Sequence, residues 1–185
     1  MLRKALIFLL LLFGCKKIDQ EGRQIFTIEK GQHRSSGLFK TTKSQILQFD
    51  VMFDSSAVYT VNSQDQADVN KLLGLSDHKQ YHMDNSIRLG WRYYNNKLEL
   101  LWFKHQDGEF SFGHIKYIET DVEYSCCIQI SPDEYTLFVD DSHVIVPRIK
   151  SKYCYKSMNY RRYFLWPYFG GNCVAPHDIK IKIRI

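Results

Sequence analysis

An all-β fold, an antiparallel β-sandwich of jelly-roll type with one short helix, is what this sequence predicts. Three observations carry that expectation. Twelve tyrosines, twelve phenylalanines and three tryptophans accompany many valines and isoleucines, the residue types that fill pleated, half-buried surfaces. Apolar and polar residues alternate with a period of two in segment after segment. The segments are short and evenly spaced, with turn residues between them, which favours a sandwich over a parallel sheet. After residues 1–14 are set aside, about 171 residues remain, enough for one domain with a substantial core.

Taken in order, Gln24–Ile28 reads as a first strand and Gly31–Gly37 as a loop. Leu47, Phe49, Val51 and Phe53 alternate with Gln48, Asp50 and Met52, a strand with one buried face. Ala57–Val61 continues in the same style. The spacing predicts a helix over Ser63–Gly74: Ser63 and Gln66 fit a capping box, Val69, Leu72 and Leu73 share a face, and Gly74 suits the terminus.

Ser86–Lys104 is the clearest fold signal. Asn95-Asn96 tolerates the positive φ of a two-residue hairpin turn, which sets Tyr94 opposite Lys97, Tyr93 opposite Leu98, Arg92 opposite Glu99 and Trp91 opposite Leu100. Leu89, Trp91, Tyr93, Leu98, Leu100 and Trp102 then share the core face. Arg88, Gly90, Arg92, Tyr94, Glu99, Leu101 and Phe103 share the other, too polar for a core and too aromatic for a plain surface. Strands follow at Phe110–Ile118, Val122–Ile130, Tyr135–Val139 and His143–Val146. The last strand alternates Ile179, Ile181, Ile183 and Ile185 with Asp178, Lys180, Lys182 and Arg184.

The first fifteen residues, MLRKALIFLLLLFGC, are of another kind. Arg3 and Lys4 precede an apolar run, Ala5–Phe13, too short to span a bilayer as a permanent helix, and Gly14-Cys15 closes it. This resembles a bacterial lipoprotein signal with its lipobox. The resemblance implies cleavage before Cys15, lipid on Cys15, and an outer-membrane location, since Lys16 stands where an inner-membrane retention Asp would. The expected organisation is therefore a signal peptide over 1–14, a lipidated tether over 15–23 and the sandwich over 24–185. Of the other cysteines, Cys126 and Cys127 are adjacent in a strand and face opposite ways. Three pairings are open, with Cys154–Cys173 preferred in an exported protein.

Charge is unevenly distributed. Residues 15–142 hold fourteen Lys/Arg against nineteen Asp/Glu, whereas residues 143–185 hold nine against Asp178 alone. Such asymmetry points to an anionic partner. For an exported lipoprotein that means an acidic polysaccharide or lipid headgroups rather than nucleic acid, with the membrane reached through the lipid anchor only. Asp133, Glu134, Asp140 and Asp141 match no calcium-loop spacing and no C-x-x-C pair occurs, so neither metal nor cofactor is expected.

Two groups of residues are candidates for ligand contact. Arg88, Arg92, Tyr94 and Glu99 lie on the polar face of the hairpin. Arg162, Trp166 and His177 form a second set, because aromatic faces stack on sugar rings while arginine forks grip carboxylate or sulfate. The pattern over residues 24–185 resembles the concanavalin-like sandwiches of exported glycan-binding and glycan-cleaving proteins. A glycosidase of that architecture would resemble E-x-D-x-x-E on one strand, which is absent. A jelly-roll alginate lyase would resemble R-x-E-x-R, Q-I-H and Y-F-K-x-G. The nearest stretches are Arg88–Arg92 without the acid, Gln129-Ile130-Ser131 without the histidine, and Tyr168-Phe169-Gly170. His82, His114, His143 and His177 are available as other bases. The sequence thus favours a glycan-binding module without catalysis. A polysaccharide lyase or hydrolase and a protein-binding subunit of an outer-membrane complex stand as alternatives.

Overall fold

A computed structural model describes residues 17–77, 81–148, 158 and 160–185. Cys15 and Cys154, and with them the expected lipidation and the Cys154–Cys173 pairing, lie outside the described residues. Twelve strands are present among them: β1 (Gln24–Ile28), β2 (Thr41–Thr42), β3 (Ile46–Phe53), β4 (Asn70–Ser76), β5 (Asn85–Tyr94) and β6 (Lys97–Gln106). The remainder are β7 (Glu109–Ile118), β8 (Glu123–Ile130), β9 (Glu134–Val139), β10 (Ser142–Pro147), β11 (Arg162–Leu165) and β12 (Ile179–Arg184). They form two six-stranded sheets, ordered β1-β12-β3-β8-β9-β10 and β2-β11-β4-β5-β6-β7. All pairings are antiparallel.

The period of two is what closes the sandwich. Phe49, Val51 and Phe53 from the first sheet and Leu89, Trp91 and Leu100 from the second are at most 4% exposed. Trp91 meets Tyr59 and Phe169 edge-on, at ring distances of 5.7 and 6.4 Å, geometry that aromatic quadrupoles favour. Asn95 and Asn96 take φ of 50° and 59°, and the hairpin register matches the expected one from Trp91↔Leu100 to Tyr94↔Lys97.

One buried polar group ties the sheets together. Asp77, just after β4, accepts from Arg148 Nε at 2.6 Å and from the Tyr135 hydroxyl at 2.6 Å. Tyr160 donates to its other oxygen at 2.5 Å. A buried carboxylate is tolerable only with this degree of pairing.

Two local expectations fail. Ala57–Val61 is not a strand; the chain makes a single 3-10 turn at Ser55–Ala57. Ser63–Gly74 is not a helix either. Asn62 Oδ1 accepts from the backbone of Gln64 and Asp65, closing a turn in which the asparagine side chain competes with helix formation. Gln66, rather than capping, reaches the Tyr93 carbonyl at 2.6 Å. The chain then enters β4, where a register shift between Lys71 and Gly74 leaves Leu72 and Leu73 both fully buried. A bulge that buries consecutive residues mimics helical spacing.

Candidate functional site

The outer face of the second sheet gathers the unusual chemistry. Alternation along β5 turns Ser86, Arg88, Gly90, Arg92 and Tyr94 outward. Across the ladder Arg88 pairs with Phe103, Ser86 with His105 and Lys71 with Gly90. Tyr168 bridges to Lys71, bringing the segment after β11 onto the same face.

Lys71, Arg88 and His105 form its centre. Arg88 is 6% exposed; its Nη2 donates to the Trp166 carbonyl at 2.7 Å, and its buried Nε has no partner. Lys71 donates to the Val69 carbonyl at 2.8 Å and lies 4.4 Å above the Phe103 ring centre. Among the described residues no carboxylate forms an ion pair with either cation. The electrostatics follow. Burial, then repulsion from Arg88, pulls the Lys71 ammonium from 10.5 to about 8, which Asp68 offsets in part. Burial pulls Arg88 downward as well. Burial, then Lys71, Arg88 and His82, drops His105 to about 4, so its imidazole is neutral at ordinary pH. Ser86 donates its proton to the His82 carbonyl at 2.6 Å. Its oxygen is thus left to accept from His105 Nδ1 at 3.5 Å, a tautomer that keeps a lone pair on Nε2.

Two glycines permit close backbone approach here, a Cβ on Gly74 meeting the Ile87 carbonyl and one on Gly170 the Val69 carbonyl at 2.2 Å, and they leave room for the cations as well. A Cβ on Gly74 would lie 2.7 Å from Arg88 Cγ, and one on Gly170 would lie 2.7 Å from Lys71 Nζ. Beside them stand three nearly parallel phenylalanines. Phe103 lies 5.8 Å from Phe110 and 6.4 Å from Phe112, with interplanar angles of 10° and 5°. Phe103 is buried and the other two are exposed. Tyr163, on β11, and Tyr168 are half-buried neighbours that offset part of the effect of burial on Arg88.

Arg88 belongs to this centre; the other hairpin candidates sit further along the face. Arg92 Nε donates to Glu99 at 2.5 Å, its Nη1 to the Ala67 carbonyl at 2.6 Å, and His114 Nδ1 holds the second Glu99 oxygen at 2.6 Å. Tyr94 carries the Arg92 guanidinium 5.0 Å from its ring centre. The expected second set does not converge. Arg162 is fully buried and donates to the Ser44 carbonyl. Trp166 stacks on Phe26 and Phe164 and donates to the Leu38 carbonyl. His177 contacts the Ser56 carbonyl beside the 3-10 turn. Their side chains follow the inward or edge positions of their segments, which composition does not reveal. Cys173 Sγ lies 3.1 Å from Asp65. Gln129-Ile130-Ser131 lies on β8 and its following turn, in the first sheet.

Lys71 and His105 are the residues that sequence reasoning missed. Lys71 was hidden by the helical spacing around it. His105 continues the outward series Glu99, Leu101, Phe103, and that alternation was the signal.

No protein-family model matches this sequence, and no curated protein is significantly similar to it. Its fold, by contrast, is a familiar one. The alginate lyase AlyC3 superposes with a TM-score of 0.60 at 9% identity, over 91% of this chain and 75% of that one. A family 7 alginate lyase, A1-II′, solved with substrate, gives 0.59 at 8% identity, over 92% and 78%. The family GH16 endo-β-1,3(4)-glucanase SCLam gives 0.57 at 10%, over 88% and 69%. The chain is a jelly-roll sandwich. At these identities the likeness speaks for the fold alone.

Proposed function

We propose that the outer face of the second sheet binds an acidic polysaccharide. One observation carries this reading: Lys71 and Arg88 lie side by side, largely desolvated, without a carboxylate partner. A cation so placed is costly to the fold and gains most from an incoming anion, because charge-assisted hydrogen bonds are strong where water is excluded. The uronate carboxylate meets the Lys71 ammonium, with the buried Arg88 guanidinium adding its charge from beneath, and the sugar ring packs beside Phe110 and Phe112. Jelly-roll neighbours that include alginate lyases support a glycan as the partner. The test is calorimetric titration with polymannuronate and polygalacturonate, with a neutral mixed-linkage glucan as control. Binding of the acidic polymers alone is expected. Lys71→Ala with Arg88→Ala, if still folded by circular dichroism, is expected to weaken it at least a hundredfold, about 2.7 kcal/mol. Equal affinity for the neutral glucan overturns the reading.

A second reading, β-elimination, rests on His105. A lyase needs a neutral base next to a neutralised carboxylate, and His105 stands beside Lys71 and Arg88 in that state. In the step, Nε2 takes the proton at the carbon bearing the carboxylate. The C–H electrons form a double bond to the neighbouring carbon, and the glycosidic oxygen departs with a proton from a tyrosine hydroxyl, Tyr163 or Tyr168. The carboxylate neutralised by the cations stabilises the intermediate charge. Incubation with polymannuronate, read by the ultraviolet absorbance of an unsaturated uronate, separates the two. His105→Asn is expected to abolish that signal while leaving binding within a few-fold. No signal from the wild-type chain assigns it binding alone.

A further inference from the structure

A second feature lies away from this face, where the chain enters the sandwich. Ile18 bridges to Gln24 ahead of β1, and the loop before β2 brings Leu38 and Phe39 alongside, with Ile185 from the end of β12. Together with Phe26 and Trp166 they line an open cavity of about 430 Å³. Four of the six are strongly exposed: Ile18 61%, Leu38 70%, Phe39 81% and Ile185 54%. Scattered surface apolar residues need no explanation, but a contiguous group around a cavity marks a contact surface. The arrangement is built. Trp166 Nε1 donates to the Leu38 carbonyl at 2.7 Å, holding the loop in place. Gly37 is required there, because a Cβ at that position would lie 2.3 Å from the Trp166 ring.

The occupant is indicated by what precedes the patch in the chain. The apolar run Ala5–Phe13 ends five residues before Ile18, so at about 3.6 Å per extended residue the chain between Phe13 and Ile18 spans at most roughly 18 Å. Cys15 is closer in sequence still. Whatever takes up the end of that run, or a lipid on Cys15, is therefore tethered within that reach of this end of the sandwich. Charge of the matching sign is at hand: Lys40 lines the cavity and Lys17, next to Ile18 in the chain, is exposed.

We propose that this end of the sandwich rests on a lipid bilayer. Ile18, Leu38, Phe39 and Ile185 enter the boundary between headgroups and acyl chains, and the lysines meet anionic phosphates. A single lipid chain or short apolar segment holds a protein only marginally, and a second apolar or basic signal makes the attachment stable. This patch is that second signal. Phe39 also stacks on Tyr163 at 6.2 Å, so the β11 end of the glycan face lies nearest the membrane while β7 lies furthest from it.

The test uses the full chain in vesicles of phosphatidylethanolamine and phosphatidylglycerol, with brominated acyl chains as quenchers. Phe39→Trp is expected to add emission that is blue-shifted and quenched by the bromolipid; Phe112→Trp, on β7, is expected to add emission that is neither. Phe39→Ser with Leu38→Ser is expected to lower vesicle partitioning about tenfold or more. Unquenched, water-like emission from Phe39→Trp overturns the proposal, as does equal quenching at both positions. Blue-shifted but unquenched emission also overturns it, because it places the chain's own apolar run in the cavity. None of these outcomes depends on the glycan reading.

Discussion

The two sheets hold their shielded outer-face cations differently. On the first, Arg184 meets Asp50 and Glu123, each at 2.9 Å, and Arg23 meets Asp19 at 2.7 Å, Glu21 at 2.6 Å and Glu123 at 3.2 Å. On the second, Lys71 and Arg88 meet carbonyl oxygens and ring faces instead. Exposed lysines such as Lys180 on the first face and the Arg92–Glu99 pair on the second show that both faces mix the two arrangements. The difference lies in the shielded cations, Arg23 held by carboxylates on the first and Arg88 and Lys71 without an ion pair among the described residues on the second. The basic tail of the sequence is held in more than one way. Arg148 is taken up by Asp77 and Arg184 by Asp50 and Glu123, whereas Arg162 is buried against the Ser44 carbonyl and Lys180 stays exposed. Lys71 and Arg88 come instead from the acidic stretch before residue 143.

Three changes break or sharpen this contrast. The largest effect is expected from giving the second face the carboxylate it lacks. Tyr168→Glu, beside Lys71, should reduce affinity for polymannuronate by a hundredfold or more, as charge-assisted hydrogen bonds of about 1.5–3 kcal/mol each are pre-empted. Titration calorimetry at constant salt measures it, and undiminished binding would remove Lys71 from the site.

A smaller change is expected from pH alone. Lys71 is charged below about pH 8 and neutral above it, while ligand carboxylates stay ionised. Affinity should therefore fall as pH rises from 7 to 9, and Lys71→Arg should flatten the profile. The same shift affects stability with its own sign. The unfolded chain keeps the lysine protonated up to its ordinary value of 10.5, so it binds more protons between about 8 and 10.5, and this group's contribution to stability rises with pH there. Equilibrium urea unfolding across that interval reads it.

The smallest effect belongs to the first face. Asp50→Ala removes one partner of the half-exposed Arg184 and leaves Glu123 in place, so it should cost only about 0.2–1 kcal/mol in urea unfolding. Glycan affinity should not move. A gain in affinity would show that neutralisation, rather than the groove chemistry of the second face, is the whole of the difference.

The fold was legible where one physical signal dominated. The β5–β6 hairpin combined strict alternation with a turn pair suited to positive φ, and its register follows from those facts. The β4 region was not legible, because two competing patterns coincided. A bulge buried Leu72 and Leu73 together, and Ser63 and Gln66 imitated a helix start while their backbone was committed to a turn. That misreading cost the site Lys71. Arg88 was found because it shares a strand face with Arg92, and His105 was within reach of the same reasoning. Arg162, Trp166 and His177 were chosen by composition. Composition says what a side chain can bind and not which way it points.

Gly74 and Gly170 tie the cations to the strand packing. A Cβ at either position would first meet a backbone carbonyl, Ile87 at 2.2 Å from Gly74 and Val69 at 2.2 Å from Gly170, with Arg88 and Lys71 next at 2.7 Å. An alanine at either glycine therefore shifts backbone before it shifts a cation, so the close approach of these segments and the placement of Lys71 and Arg88 stand or fall together.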